Sequence, residues 1–149
     1  MFGDWNNQEA VLKAANYCSA LREECLTQKK SFVFETVFSS KDKTDFFKRA
    51  KEAGFFVRIF FISTKDPAIN AYRIANRVME GGHDVSISKI ISRYTKSIGN
   101  IAFIATQIDR LYVYDNSIDN VEARLFFRDS HGKLAKEFTE DIPEWSLIF

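Results

Sequence analysis

Two short apolar runs, residues 31–38 and 55–62, constrain this chain more than any other feature. The first places Phe32, Phe34, Thr36 and Phe38 on one parity and Val33 and Val37 on the other, with Glu35 as its one charge. The second is interrupted only by Arg58. Runs that are apolar on both parities predict strands covered on both faces, as in a parallel sheet. The segments around them have helical periodicity. Residues 8–29 repeat Val11, Ala14, Ala15, Cys18, Leu21 and Cys25 at spacings of three and four. Ser39 or Ser40 can cap a helix carrying Phe46, Phe47, Ala50 and Ala53, which Gly54 ends. Asp66-Pro67 starts another, with Asp as cap and Pro at the first helical position, and Gly81-Gly82 closes it. A long helix over 86–106 follows, with Ile87, Ile90, Ile91, Tyr94, Ile98 and Ile101. Residues 111–114 make a third short strand, and 123–138 read as a hairpin turning near Ser130-His131-Gly132.

Strands alternating with helices predict an α/β fold, a parallel sheet with helices on its faces, because parallel neighbours need crossover connections. Ligands of such sheets bind outside the carboxyl ends of the strands. The polar residues there are Glu35-Thr36 with Ser39-Ser40, then Ser63-Thr64-Lys65-Asp66, then Asp115-Asn116-Ser117. With 149 residues, 15 of them Phe, the chain predicts one domain, 1–149, with a dry aromatic core. Its net charge of +1 provides no global field toward nucleic acid or an anionic membrane, and neither is expected as a partner. No apolar run approaches a bilayer span, and the first residues do not resemble a signal peptide, which predicts a cytoplasmic protein. Cys18 and Cys25, two helical turns apart, are too distant for a disulfide and read as small buried hydrophobes.

Glu35 has two readings. A carboxylate inside a Phe and Val run is costly unless it faces a polar ligand or pairs with a neighbouring cation. Arg73 and Arg77 share one helix face, and Lys89, Arg93 and Lys96 share a face of the next. Joined by Gly81-Gly82-His83, they form either a lid, over 67–106, that closes on phosphates or a pair of solvated faces. His131 is expected to be exposed. The sequence has no Gly-x-x-x-x-Gly-Lys-[Ser/Thr] loop, no Gly-x-Ser-x-Gly elbow and no metal-ligand cluster.

The string Ser31-Phe32-Val33-Phe34-Glu35-Thr36-Val37-Phe38-Ser39 is followed by Ala50-Lys51-Glu52-Ala53-Gly54-Phe55, by Arg77-Val78-Met79-Glu80-Gly81-Gly82-His83-Asp84-Val85, by Arg93-Tyr94-Thr95-Lys96-Ser97 and by Tyr114-Asp115-Asn116-Ser117. In order and spacing these elements resemble the zeta toxin family, in its zeta toxin-like ATPase branch, over residues 9–133. The resemblance implies a three-layer P-loop-kinase-like parallel sheet with helices on both faces, here truncated at the N-terminus, with a C-terminal β-hairpin added. It implies an ATP- and Mg²⁺-dependent kinase of a UDP-N-acetylglucosamine-type substrate, held in check by an antitoxin protein. Glu35 and Thr36, with Ser39 beside them, match the family's sugar-nucleotide-binding strand end. Arg77, Arg93 and Lys96, with Arg73 and His83, match the lid on the ATP phosphates, and Asp115 and Asn116 are polar strand-end residues.

The family's P-loop strand, its Walker lysine and the Asp that deprotonates the substrate have no counterpart in the sequence. A kinase inactive as this chain is therefore expected, or alternatively a non-catalytic module that binds a nucleotide, a sugar nucleotide or a protein. In the family's sheet the P-loop strand lies between the two Phe-rich strands. These two are therefore expected either to pair directly or to leave a slot for another chain, with self-association through exposed strand edges as one outcome.

Overall fold

The computed structural model describes residues 7–82, 84–142 and 144–146, which fall into two compact units, 1–36 and 37–149. The first unit is one helix, α1 (Gln8–Thr27), followed by an extended tail. Asn7 caps the helix by accepting the N–H groups of Glu9 and Ala10 at 2.9 and 3.2 Å. No residue of α1 is buried. Cys18 is exposed and Cys25 half-buried, so the expectation of two buried thiols fails where the helix's apolar stripe lies open.

The tail corrects a larger expectation. Residues 31–38 are not a strand, and Val33 is 96% exposed. A strand exists only where a neighbour takes its backbone hydrogen bonds, and the sheet ladder supplies none to this run. Its rings associate locally instead: Phe32 stacks on Phe34 at 6.0 Å, and the Arg22 guanidinium lies 5.1 Å from the centre of the Phe34 ring. Glu35 is therefore exposed, and the desolvation cost that would have demanded a ligand or a cation does not arise there. The two Phe-rich runs do not pair with each other.

The second unit runs α2 (Lys41–Glu52), β1 (Arg58–Ser63), α3 (Pro67–Met79), α4 (Ile87–Ala105), β2 (Arg110–Asp115), β3 (Arg124–Ser130), β4 (Lys133–Glu137) and a short 3₁₀ turn, Glu144–Ser146. The sheet order is β1-β2-β3-β4. β1 and β2 are parallel, with Arg58 opposite Arg110 and Ser63 opposite Asp115, whereas β3 and β4 continue antiparallel. The fold is thus α/β with a mixed sheet, consistent with a P-loop-kinase-like fold. Its parallel part is the β1–β2 pair.

The local signals act as their chemistry requires. Asp66 accepts the Ala68 N–H at 2.7 Å, and Pro67 opens α3. α3 ends in a Schellman motif, with the Gly82 N–H donated to the Arg77 carbonyl at 2.8 Å and Gly81 at φ +91°. A Cβ on Gly82 would lie 2.6 Å from that carbonyl oxygen, so these two glycines fasten the helix end. Two residues at positive φ, His131 and Gly132, turn the hairpin.

β1 begins later than the apolar run because the preceding residues have other work. The Phe55 N–H closes the end of α2 on the Ala50 carbonyl at 3.0 Å, and the Val57 N–H is taken by Asp109 Oδ2 at 2.6 Å. Asp109 also accepts from Lys51 Nζ at 2.7 and 2.6 Å through its two oxygens, and His131 Nε2 lies 3.6 Å away. The backbone carbonyl of Asp109 accepts from Ser130 Oγ at 3.0 Å. One residue so ties α2, the entry to β1 and the hairpin turn together.

The core lies on one face of the sheet. It includes Phe61 of β1, Leu111 and Val113 of β2, Phe126 and Phe127 of β3, and the buried side chains Phe46, Ala50, Ile90, Ile101, Ile104 and Ala105 of the helices. Trp145 lies against Phe61 and Phe126, at 6.4 and 6.1 Å between ring centres.

Burial would raise the Asp109 carboxyl pKa, but Lys51, the Val57 N–H and His131 together hold it below the ordinary value. A carboxylate with a depressed folded pKa contributes stability that is complete above about pH 4 and is lost as pH falls through the folded value. Urea unfolding of Asp109→Ala should show a loss of about 2–4 kcal/mol at neutral pH. Asp109→Asn should flatten the decline in stability below pH 4, and an unchanged acid limb would contradict the role given to the carboxylate.

Candidate functional site

The carboxyl ends of β1 and β2 converge because the strands are parallel and in register to their last residues. Beyond them the Asn116 N–H reaches the Ser63 carbonyl at 2.7 Å, extending the pairing into the loops. Ser117 Oγ bonds Asp115 Oδ1 and accepts the Lys65 N–H at 2.8 Å. The two polar strand-end segments anticipated from topology are thus brought together.

Four residues outside those segments complete the cluster. Tyr94 of α4 donates its hydroxyl to the Thr64 carbonyl at 2.7 Å. Asn70 of α3 donates to Thr64 Oγ1 at 3.0 Å, and that hydroxyl donates to the Asp66 carbonyl at 3.0 Å. Arg73 donates to Asp119 Oδ1 at 2.7 Å and to the Asn116 carbonyl at 2.8 Å. Ser63 and Thr64 are buried beneath this network. Burial raises the Tyr94 pKa, opposed by Ser63 and reinforced by the Asp66 and Asp115 charges, so the phenol stays protonated as a donor. By spacing Tyr94 counts among the apolar positions of its helix, while Asn70 and Asp119 carry no local signal in the sequence.

The other expected site residues are placed less closely. Arg77 is exposed on α3; Arg93 is half-buried and Lys96 exposed on α4, and α3 packs against α4. Ser39 is half-buried beside Phe38, whose carbonyl accepts from Asn100 Nδ2 at 2.8 Å. Glu35 and Thr36 are exposed in the first unit. His83 lies outside the described residues. Among the described residues no group of three His, Cys, Asp or Glu side chains is placed to hold a metal ion, and no helix is long and apolar enough to cross a membrane. His131, in the hairpin turn, is exposed as expected.

A family model, Zeta toxin, matches residues 7–129. The chain belongs to the zeta toxin family. The match takes in the elements from α1 into β3, including both strand ends and the cationic helices α3 and α4. It identifies a member of a P-loop-kinase-like, nucleotide-binding toxin family. No curated protein and no solved structure gives a significant match.

Arg73 thus has a structural occupation, joining α3 to the loop after β2. Arg73→Ala should cost about 1 kcal/mol, because the pair with Asp119 is partly solvated. Amide exchange at Lys65 and Asn116 should accelerate in this variant while the amides of β4 stay as they were.

Proposed function

We propose that the chain supplies the substrate-binding and lid elements of a zeta toxin-type, ATP-dependent small-molecule kinase. Its substrate is a UDP-N-acetylglucosamine-type sugar nucleotide, and its setting is cytoplasmic, as the toxin of a toxin–antitoxin pair. The family match over residues 7–129 carries the reading. In it, Glu35, Thr36 and Ser39 hold the sugar nucleotide. Arg77, Arg93, Lys96 and His83 neutralise phosphate oxygens, with Asp115 and Asn116 at the strand end. Transfer of this kind depends on positioning and charge neutralisation, which suits arginines carried on two adjoining helices.

The strand-to-helix turn after β1 does not fit a phosphate cradle. The Ala68 N–H at the start of α3 is taken by Asp66, and the Lys65 N–H by Ser117. Thr64 is committed to Asp66 and Asn70. A P-loop needs free N–H groups on a glycine-rich turn, followed by Lys and a hydroxyl on magnesium. Among the described residues the turn after β1 therefore offers ATP and Mg²⁺ no complete site, and the sequence has no Gly-x-x-x-x-Gly-Lys-[Ser/Thr] loop. That misfit favours a second reading, a module that binds the sugar nucleotide without phosphorylating it.

Incubation with ATP, Mg²⁺ and UDP-N-acetylglucosamine should yield no phosphorylated sugar nucleotide; turnover would refute the misfit. Calorimetric titration of UDP-N-acetylglucosamine should give heat that weakens roughly tenfold in Arg93→Ala, the loss of about one charge-assisted contact. No heat at millimolar ligand would remove both readings.

A further inference from the structure

Among the described residues of the second unit, large side chains on the sheet face opposite the core are open to water, and the composition of that face is specific. The strand register sets Arg58 beside Arg110, aligns Phe60, Tyr112, Arg128 and Lys136 in one row across four strands, and sets Ile62 beside Tyr114. Phe56, Phe60 and Ile62 are 59, 55 and 56% exposed. Parallel strands of α/β sheets are ordinarily buried on both faces, and clustered large apolar side chains open to water mark an interaction surface.

The charge on this face has one sign. Arg58, Arg110, Arg128 and Lys136 stand on it, whereas Asp115, Asp129 and Glu137 of the same strands occupy register positions on the other face. The guanidinium groups of Arg58 and Arg110 lie 5.8 and 5.5 Å from the centre of the Phe56 ring, and among the described residues neither has a carboxylate partner. Arg128 Nε is buried with no hydrogen-bond partner. The local field also registers on Tyr112, where desolvation raises the pKa but Arg110, Arg128 and Arg58 bring it below the ordinary value.

We propose that this face binds an acidic amphipathic helix of another polypeptide, its apolar stripe on Phe56, Phe60 and Ile62 and its carboxylates on Arg58, Arg110 and Arg128. Charge complementarity selects this occupant. A second copy would set the same cations against one another across an isologous contact. Single-stranded nucleic acid would need free ring faces, but Phe60 and Tyr112 are stacked on each other, 5.0 Å apart at 19°. The proposal is independent of the kinase reading, since none of these residues belongs to the strand-end cluster or the lid.

The probe is a fluorescent synthetic helix of about 18 residues with Leu at helical spacing and Glu on both flanks, compared with its Lys-flanked counterpart. Anisotropy titration should show micromolar binding of the Glu peptide only, weakening at high salt. The double variant R58E/R110E should lose at least about tenfold in affinity for the Glu peptide and gain binding of the Lys peptide. That exchange of preference reports on the surface even if the variant is less stable. Equal binding of both peptides, binding of neither, or tighter binding of oligo(dT) would overturn the proposal. So would a dimer, detected by light scattering, that Phe60→Asp dissolves.

Discussion

The side chain of Asp109 is the point on which the second unit depends. It sits in the short link between α4 and β2 and receives hydrogen bonds from Lys51 at the end of α2 and from the Val57 N–H at the entry to β1. The backbone reinforces it, as the Asp109 and Arg110 N–H groups both return to the Val57 carbonyl. Such charge-assisted bonds are stronger than neutral ones, and their geometric effect exceeds their energy. They set which residue of β1 first meets β2. A slip of one residue would turn Phe61 out to water and bring Phe60 into the core. Because Ser130 also closes onto the Asp109 carbonyl, the hairpin is referred to the same point.

The opposite end of the parallel pair is fixed by different means. There the bonds run through Ser117, Thr64 and Tyr94 and draw in α3, α4 and the loop after β2. β1 is consequently fastened at both ends, although among the described residues its one ladder partner is β2. Polar anchoring substitutes for the second neighbour that a strand in a parallel sheet ordinarily has. The same anchoring determines what the strand end can do. The N–H groups of Lys65 and Ala68 are spent on structure, so the turn after β1 offers few free backbone donors to a ligand.

Features encoded over a few residues could be read from the sequence, and those encoded across the chain could not. The caps at Asp66-Pro67 and Gly81-Gly82 and the hairpin turn at Gly132 are local chemistry, and each lies where its residues demanded. The strand-end segments 63–66 and 115–117 were legible for a topological reason, since parallel strands must end side by side. Residues 31–38 have a composition that suits a strand, but strand formation also requires a neighbour, which composition cannot reveal. The late start of β1 has the same origin, because Phe55 and Val57 bond to Ala50 and Asp109. Nothing near Asp109 in the sequence announces Lys51, and Arg73 gave no hint of Asp119. The sign of a charged side chain is local, and its partner is not.

The mixed sheet explains why the exposed apolar surface lies where it does. An antiparallel hairpin tolerates one solvated face, and β3 and β4 present Arg128 and Lys136 there. The parallel strands bring large apolar residues to the same face, Phe60 and Ile62 on β1 with Tyr112 and Tyr114 on β2. The break in register between Val113 and Tyr114 sharpens the difference. It leaves Phe126 as an extra residue opposite β2, and Phe126 and Phe127 are both buried. A bulge of this kind turns adjacent side chains toward one side, so β3 gives two aromatic rings to the core and keeps none for the open face. Within the strands the aromatic surface of this face is thereby confined to β1 and β2, and cations from β3 and β4 border it on one side. A partner must meet both in that arrangement, which makes the face selective for the sign of the charges that flank an apolar stripe.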